Sequence, residues 1–203
     1  VLALENTWHG RTLPLDYLVA AHDVVRSHGL GLHLDGARLF NAAVACGVPA
    51  REIARHFDTV SICLSKGLGA PVGSVLVGSH ALIDKARRWR KVTGGGWRQA
   101  GMLAAAGMHA LDHHVTRLAQ DHHRAEYLAG RLREVAGIDL LGQYTNMVFI
   151  DVPAERLRDL DVHLREAGIR ISIGYLPTLR LVTHLDVDDD GIERTVAAFR
   201  EFF

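Results

Sequence analysis

The sequence predicts an α/β fold in which a mixed, mostly parallel sheet with helices is followed by a smaller α+β unit. Three observations predict it. Short apolar, β-prone runs alternate with helical stretches through roughly the first 120 residues, the rhythm of a doubly wound sheet. Single glycines punctuate the joints between them, as at Gly29 and Gly47. Beyond Gly137 the character changes to short β-rich runs between helices. The boundary is placed at residue 120, giving units 1–120 and 121–203.

Residues 1–5 read as a strand that begins without an approach segment. A helix is expected over 13–27, with Pro14 in its first turn and a broad buried face of Leu15, Leu18, Val19, Ala21, Val24 and Val25. A strand follows at 30–34, then helices at 38–46 and 50–56. Strands at 60–64 and 73–78 are separated by Pro71, which bars a helix between them. An amphipathic helix is expected over 80–91 and one long helical stretch over 98–135. In the second unit, β runs are expected at 146–152, 169–173 and 179–183, with helices at 154–167 and 188–203.

Composition narrows the classes. The 203 residues are 48% hydrophobic and 23% charged with a net charge of +0, which is ordinary for a globular chain able to bury a core. Without a basic excess there is no counterion release to drive binding to nucleic acid or to an anionic membrane. The basic run 85–91 reads as a helix face, partly turned to an anionic site. Cys46 and Cys63 sit in apolar runs and read as buried thiols rather than a disulfide framework. No apolar stretch reaches membrane-spanning length, and the expected location is cytoplasmic. His109 and His113 have i, i+4 spacing that can bind metal, but no further ligand pattern accompanies them, so no metal is expected.

The most informative segment is 59–69, an apolar run that leads into Ser65-Lys66-Gly67-Leu68-Gly69. A lysine delivered from a strand into a glycine-walled turn suits imine chemistry. At the edge of a packed core, desolvation and nearby cations favour the nucleophilic amine, and glycines let a flat ring lie against backbone. The plain alternative is a solvated surface lysine. The order of residues is not that of a phosphate-binding P-loop, which has glycines before the lysine and Ser or Thr after it. In 29–38 a buried strand ends in Asp35, followed by Gly36-Ala37-Arg38. An acid at the carboxyl end of such a strand lies where ligands bind, though Asp also caps helices. Arg38 is either a surface residue or a partner for an anion. Arg180, inside an apolar strand, is either a solvent-facing edge residue or a ligand group. Lys91 and Arg98 flank Gly94-Gly95-Gly96, a linker or an anion-binding loop.

Four blocks, HLDGARLFNAA (33–43), SICLSKGLGAPVGSVLVG (61–78), RWRKVTGGGWRQAG (88–101) and LRLVTHLDV (179–187), resemble the low-specificity L-threonine aldolases, which are pyridoxal-phosphate (PLP) enzymes of fold type I. The resemblance runs along essentially the whole chain. It implies that 1–120 is part of the PLP-binding large domain and 121–203 a small C-terminal domain. Lys66 is then the imine-forming residue and Asp35 the partner of the pyridine nitrogen. Arg38 lies beside the cofactor and, with Arg180, grips the carboxylate of a β-hydroxy-α-amino acid. Lys91 and Arg98 assist a neighbouring subunit, and the implied assembly is a homotetramer, a dimer of dimers. The implied reaction is cleavage of L-threonine or L-allo-threonine to glycine and acetaldehyde. Alternatives are another fold type I enzyme, a β-eliminating lyase or transaminase, or an inactive fragment serving only assembly.

The chain also departs from the family pattern. Family members extend well over a hundred residues further at the N-terminus, where the phosphate-binding turn, a ring-stacking histidine and a histidine proposed as base reside. The chain is therefore expected to be truncated, with poor PLP retention and weak activity on its own. Around His9, relatives carry Asn-Thr-His-Asn where this chain has Asn6-Thr7-Trp8-His9, so Trp8 takes the histidine's place or the register slips by one.

Overall fold

The computed structural model describes residues 1–173 and 178–203. These divide into two compact units, Val1–Leu118 and Ala119–Phe203.

The first unit is built on a four-stranded sheet in the order β1 (Leu2–Glu5), β2 (Leu32–Asp35), β3 (Thr59–Cys63), β4 (Ser74–Gly78). β1, β2 and β3 run parallel and β4 returns antiparallel to β3, so the sheet is mixed and mostly parallel. Side chains alternate faces along each strand. Leu4, Leu34, Val60 and Ile62 point to one face, where they pack with Leu18 of α1 (Leu15–Ser27), Leu39, Ala42 and Ala43 of α2 (Leu39–Cys46), and Ile53 of α3 (Ala50–Ala54). Each fully buried Leu or Ile contributes about 1.5–3 kcal/mol, so this layer fixes the register of the strand ends. Only Leu18, Ala21 and Val25 of α1 are buried; Leu15, Val19 and Val24 are exposed, because the apolar stripe is wider than the sheet beneath it. Gly47 ends α2 in the left-handed conformation that glycine adopts at least cost. Cys46 and Cys63 are half-buried rather than buried.

The loop into β2 is tied to β3 by Asp58, which accepts from Arg26 Nη2 at 2.7 Å and from the Leu32 amide at 2.8 Å. The Arg26 guanidinium, helped by that amide, holds the Asp58 carboxyl below its ordinary value of 3.8 despite some burial. A carboxyl depressed on folding stabilises above its unfolded value and loses that contribution as pH falls through the folded one. Both side chains are more than a third exposed, so the contribution is screened. Asp58→Asn is expected to cost up to about 1 kcal/mol at pH 7 in urea unfolding, with the difference closing as pH drops below 3.8. A difference that persists unchanged at pH 2 would refute the electrostatic origin.

After β4 come α4 (His80–Val92), α5 (Gly101–His113) and α6 (Leu118–Leu132). The single long helix expected over 98–135 is thus two helices, broken at His114–Arg117 with no glycine or proline at the break. The second unit is a three-stranded antiparallel sheet, β5 (Asp139–Tyr144), β6 (Met147–Asp151) and β7 (Thr178–Val182), in that order. It packs with α6, α7 (Leu157–Glu166) and α8 (Asp189–Phe202) around Val148, Ile150, Leu160, Leu179 and Phe199. Residues 169–173 were expected as a strand but join no ladder; Ile169 N–H instead bonds Leu164 O at 2.7 Å to close α7, while Ile169, Ile171 and Ile173 still pack on the core. β5, by contrast, was not anticipated. Among the described residues, no helix is long and apolar enough to cross a membrane.

Candidate functional site

The carboxyl ends of three parallel strands are joined by backbone hydrogen bonds. Asn6 N–H donates to Asp35 O at 3.0 Å, and Gly36 N–H donates to Ser61 O at 2.8 Å. Asp35 is the register partner of Glu5 on one side and Ser61 on the other, so the three side chains share a face opposite the helix-covered one. Cys63, two residues after Ser61, points the same way. Asp35 is exposed at the sheet's end, and its carboxylate accepts from Ala37 N–H at 3.1 Å, so it also orders the turn into α2. Arg38 is the residue before α2 and is half-buried.

Lys66 lies three residues past the end of β3, in the connection between β3 and β4. Leu64 N–H donates to Gly73 O at 2.9 Å, Ala70 N–H to Leu64 O at 2.9 Å, and Gly69 N–H to Lys66 O at 2.9 Å. Leu64, Leu68 and Ala70 are buried with Ala110 and Leu118, so the turn lies at the rim of a small core. Lys66 itself is exposed; the desolvation expected from the sequence is not supplied by this unit's own packing. Burial pushes the Cys63 thiol up, but hydrogen bonds from Ser65 and Ser74 and the Lys66 charge outweigh it and leave the thiol below its usual value. The Lys66 charge thus acts on a residue of the Asp35 face. Asp35 at the end of β2, Arg38 just before α2 and Lys66 three residues past β3 are the groups that could hold an aldehyde-bearing heterocycle with a basic nitrogen.

Lys91 lies in the last turn of α4 and Arg98 before α5; both are exposed. In the second unit, Arg180 is exposed on β7 opposite the buried Leu179 and Leu181. It lines a cavity of about 380 Å³ together with Arg170, His184, Asp186 and Arg194. His184 Nδ1 accepts from Asp186 N–H at 3.2 Å, a strand-end bond. The ring centroids of His109 and His113 lie 4.4 Å apart with the rings tilted, and no group of three or more His, Cys, Asp or Glu suited to a metal occurs among the described residues.

Four residues beside the strand ends or the Lys66 turn were assigned no site role from the sequence. Asn6 Nδ2 and Thr7 Oγ1 are buried without a partner among the described residues, directly after β1. His114 Nδ1 meets Leu68 O at 2.6 Å and Arg117 Nη1 donates to Gly67 O at 3.4 Å, both from the break between α5 and α6. Only the polar Asn6-Thr7 pair at the end of an apolar strand offered a signal.

The sheet is open and mostly parallel, and Asp35 and the Lys66 turn lie at the carboxyl ends of its strands, where ligands bind in sheets of this class. The fold is the fold type I architecture: a putative L-allo-threonine aldolase from Listeria monocytogenes EGD-E superimposes with a TM-score of 0.83 at 19% identity, covering 99% of this chain and 61% of that one. A putative aromatic amino acid beta-eliminating lyase/threonine aldolase from Exiguobacterium sp. 255-15 gives 0.84 at 24% identity, covering 100% and 62%. Residues 1–155 match the beta-eliminating lyase family, and the chain belongs to it. It is 48% identical over 202 residues to the low specificity L-threonine aldolase of Escherichia coli K12, covering 100% of this chain and 60% of that protein. The low-specificity L-threonine aldolase 1 of Arabidopsis thaliana is 41% identical over 212 residues, covering 99% and 58%. The chain spans about 60% of the length of these curated relatives.

Proposed function

We propose that this protein is a PLP-dependent aldehyde-lyase that cleaves L-threonine or L-allo-threonine to glycine and acetaldehyde. The observation that carries the reading is the hydrogen-bonded junction of the β2 and β3 ends, which sets Asp35 and the Lys66 turn at one edge of the sheet. Similarity to proteins named threonine aldolases supports the substrate class. Bound PLP supplies the electron sink for breaking the Cα–Cβ bond. Asp35 would hold the proton of the ring nitrogen, and the Lys66 amine would hold the cofactor's aldehyde group until a substrate amine takes its place. Arg38 would grip the substrate carboxylate through the bidentate fork of the guanidinium, which orients the bond to be broken.

In this reading the enzyme is cytoplasmic and works as a homotetramer, a dimer of dimers, with Lys91 and Arg98 reaching a neighbouring subunit's site. α4 buries no residue, and Trp89, Trp97 and Met102 nearby are exposed, a surface of the kind that subunit contacts cover. The description of the matched family favours a second reading, β-elimination on the same cofactor. Product analysis with L-threonine separates the two: glycine and acetaldehyde are expected, and 2-oxobutanoate in their place would overturn the aldolase assignment. Borohydride reduction with PLP, followed by mass spectrometry, is expected to leave a pyridoxyl group on Lys66. No such adduct would leave only an assembly role.

A further inference from the structure

We propose that His114 is a positioning residue that holds the Lys66 turn in its working geometry; this rests on the reading of Lys66 as the attachment residue. Lys66 is exposed, so the direction in which its side chain leaves is set by the backbone of its turn. Three successive carbonyls of that turn each receive a donor. Lys66 O accepts from Gly69 N–H at 2.9 Å, Gly67 O from Arg117 Nη1 at 3.4 Å, and Leu68 O from His114 Nδ1 at 2.6 Å. The first is local and the second long. The third is short and spans 46 residues of sequence, and it ties the turn to the end of α5.

A carbonyl oxygen only accepts, so Nδ1 of His114 carries a proton, which fixes the tautomer of the neutral ring. Beside it, Leu118 is fully buried and closes over Gly67, where an added Cβ would stand 2.9 Å from Leu118 Cδ2. The break between α5 and α6 thus grips the turn by one hydrogen bond and one wedge of apolar contact. Removing the bond leaves a carbonyl to find another partner and lets the turn sample other conformers. The reacting amine then spends less time where a carbonyl carbon would meet it.

The test compares His114→Leu, which fills the space without a donor, with His114→Asn, which keeps an N–H donor on a short side chain. All measurements use the protein as its gene encodes it. In His114→Leu, the Gly69 and Ala70 amides are expected to exchange about tenfold faster, and borohydride-trapped capture of PLP on Lys66 to slow about tenfold. His114→Asn is expected to restore both to within about twofold. Capture as fast in His114→Leu as in the unaltered protein overturns the positioning role and leaves the functional reading intact. No adduct on Lys66 in the unaltered protein overturns the functional reading, and the positioning role with it. Nitrogen-15 spectra of the unaltered protein decide the matter even if His114→Leu does not fold: a neutral ring with Nδ1 unprotonated overturns the proposal.

Discussion

Lys66→Ala is expected to keep the fold and lose covalent retention of PLP altogether. Lys66 is exposed, and its turn is closed by backbone bonds from Gly69, Ala70 and Leu64 that do not involve the side chain. A surface substitution of this kind shifts stability by no more than about 0.5 kcal/mol. The amine, however, has no substitute in the turn: its neighbours are Ser65 and Gly67, and neither carries a nitrogen nucleophile. On the proposed function, turnover of L-threonine should fall by at least about a thousandfold, as when a nucleophile is removed from other enzymes. The check is the absorbance of the cofactor after gel filtration, with circular dichroism to confirm folding. Retained absorbance in a folded Lys66→Ala protein would exclude Lys66 as the attachment point.

Gly36→Ala should be the most damaging single-methyl change in the first unit. A Cβ there would lie 2.9 Å from Ser61 O, 3.0 Å from Val60 Cγ1 and 3.2 Å from Leu39 Cβ. The first of these is backbone and cannot swing away. It is also the oxygen that accepts from Gly36 N–H at 2.8 Å, so relief of the clash breaks the junction of β2 and β3. Overpacking of this kind costs about 1–3 kcal/mol, and the lost hydrogen bond adds to it. Because Asp35 and the Lys66 turn lie on either side of this junction, capture of PLP should weaken together with stability. Gly130→Ala serves as the contrast. It lies in α6 with nothing within 4 Å of the added methyl, and should stabilise by about 0.4–1 kcal/mol. Equal effects of the two substitutions in urea unfolding would refute the close approach at Gly36.

The legibility of the chain follows from where local rules decide and where distant contacts do. β1 to β4 and α1 to α4 were readable because apolar runs, Gly29, Gly47 and Pro71 mark their edges. The placement of Asp35 and Lys66 was readable for the same reason: each stands within three residues of a strand end. The division of 98–135 was not, because helical periodicity runs on through His114–Arg117; the chain breaks there to meet the carbonyls of 67 and 68, a contact no local window contains. β5 escaped because Gly142 and Gln143 interrupt its apolar pattern at a bulge between Leu140 and Gly142. The opposite error arose at 169–173, where alternating isoleucines gave strand periodicity to a segment that packs on the core without pairing. The exposure of Lys66 was equally invisible, since burial is a property of what surrounds a residue.

The antiparallel return of β4 has a consequence for how reproducibly the amine is placed. In a parallel crossover, a small error in the direction of the outgoing chain grows over the dozen or more residues before the next strand. Here the chain doubles back within ten residues and is zipped to its own outgoing strand from Cys63–Ser74 downwards. The amine therefore rides on a short arch with both feet anchored in one ladder, and tolerance to inserted residues should be lower there than in any crossover of the sheet.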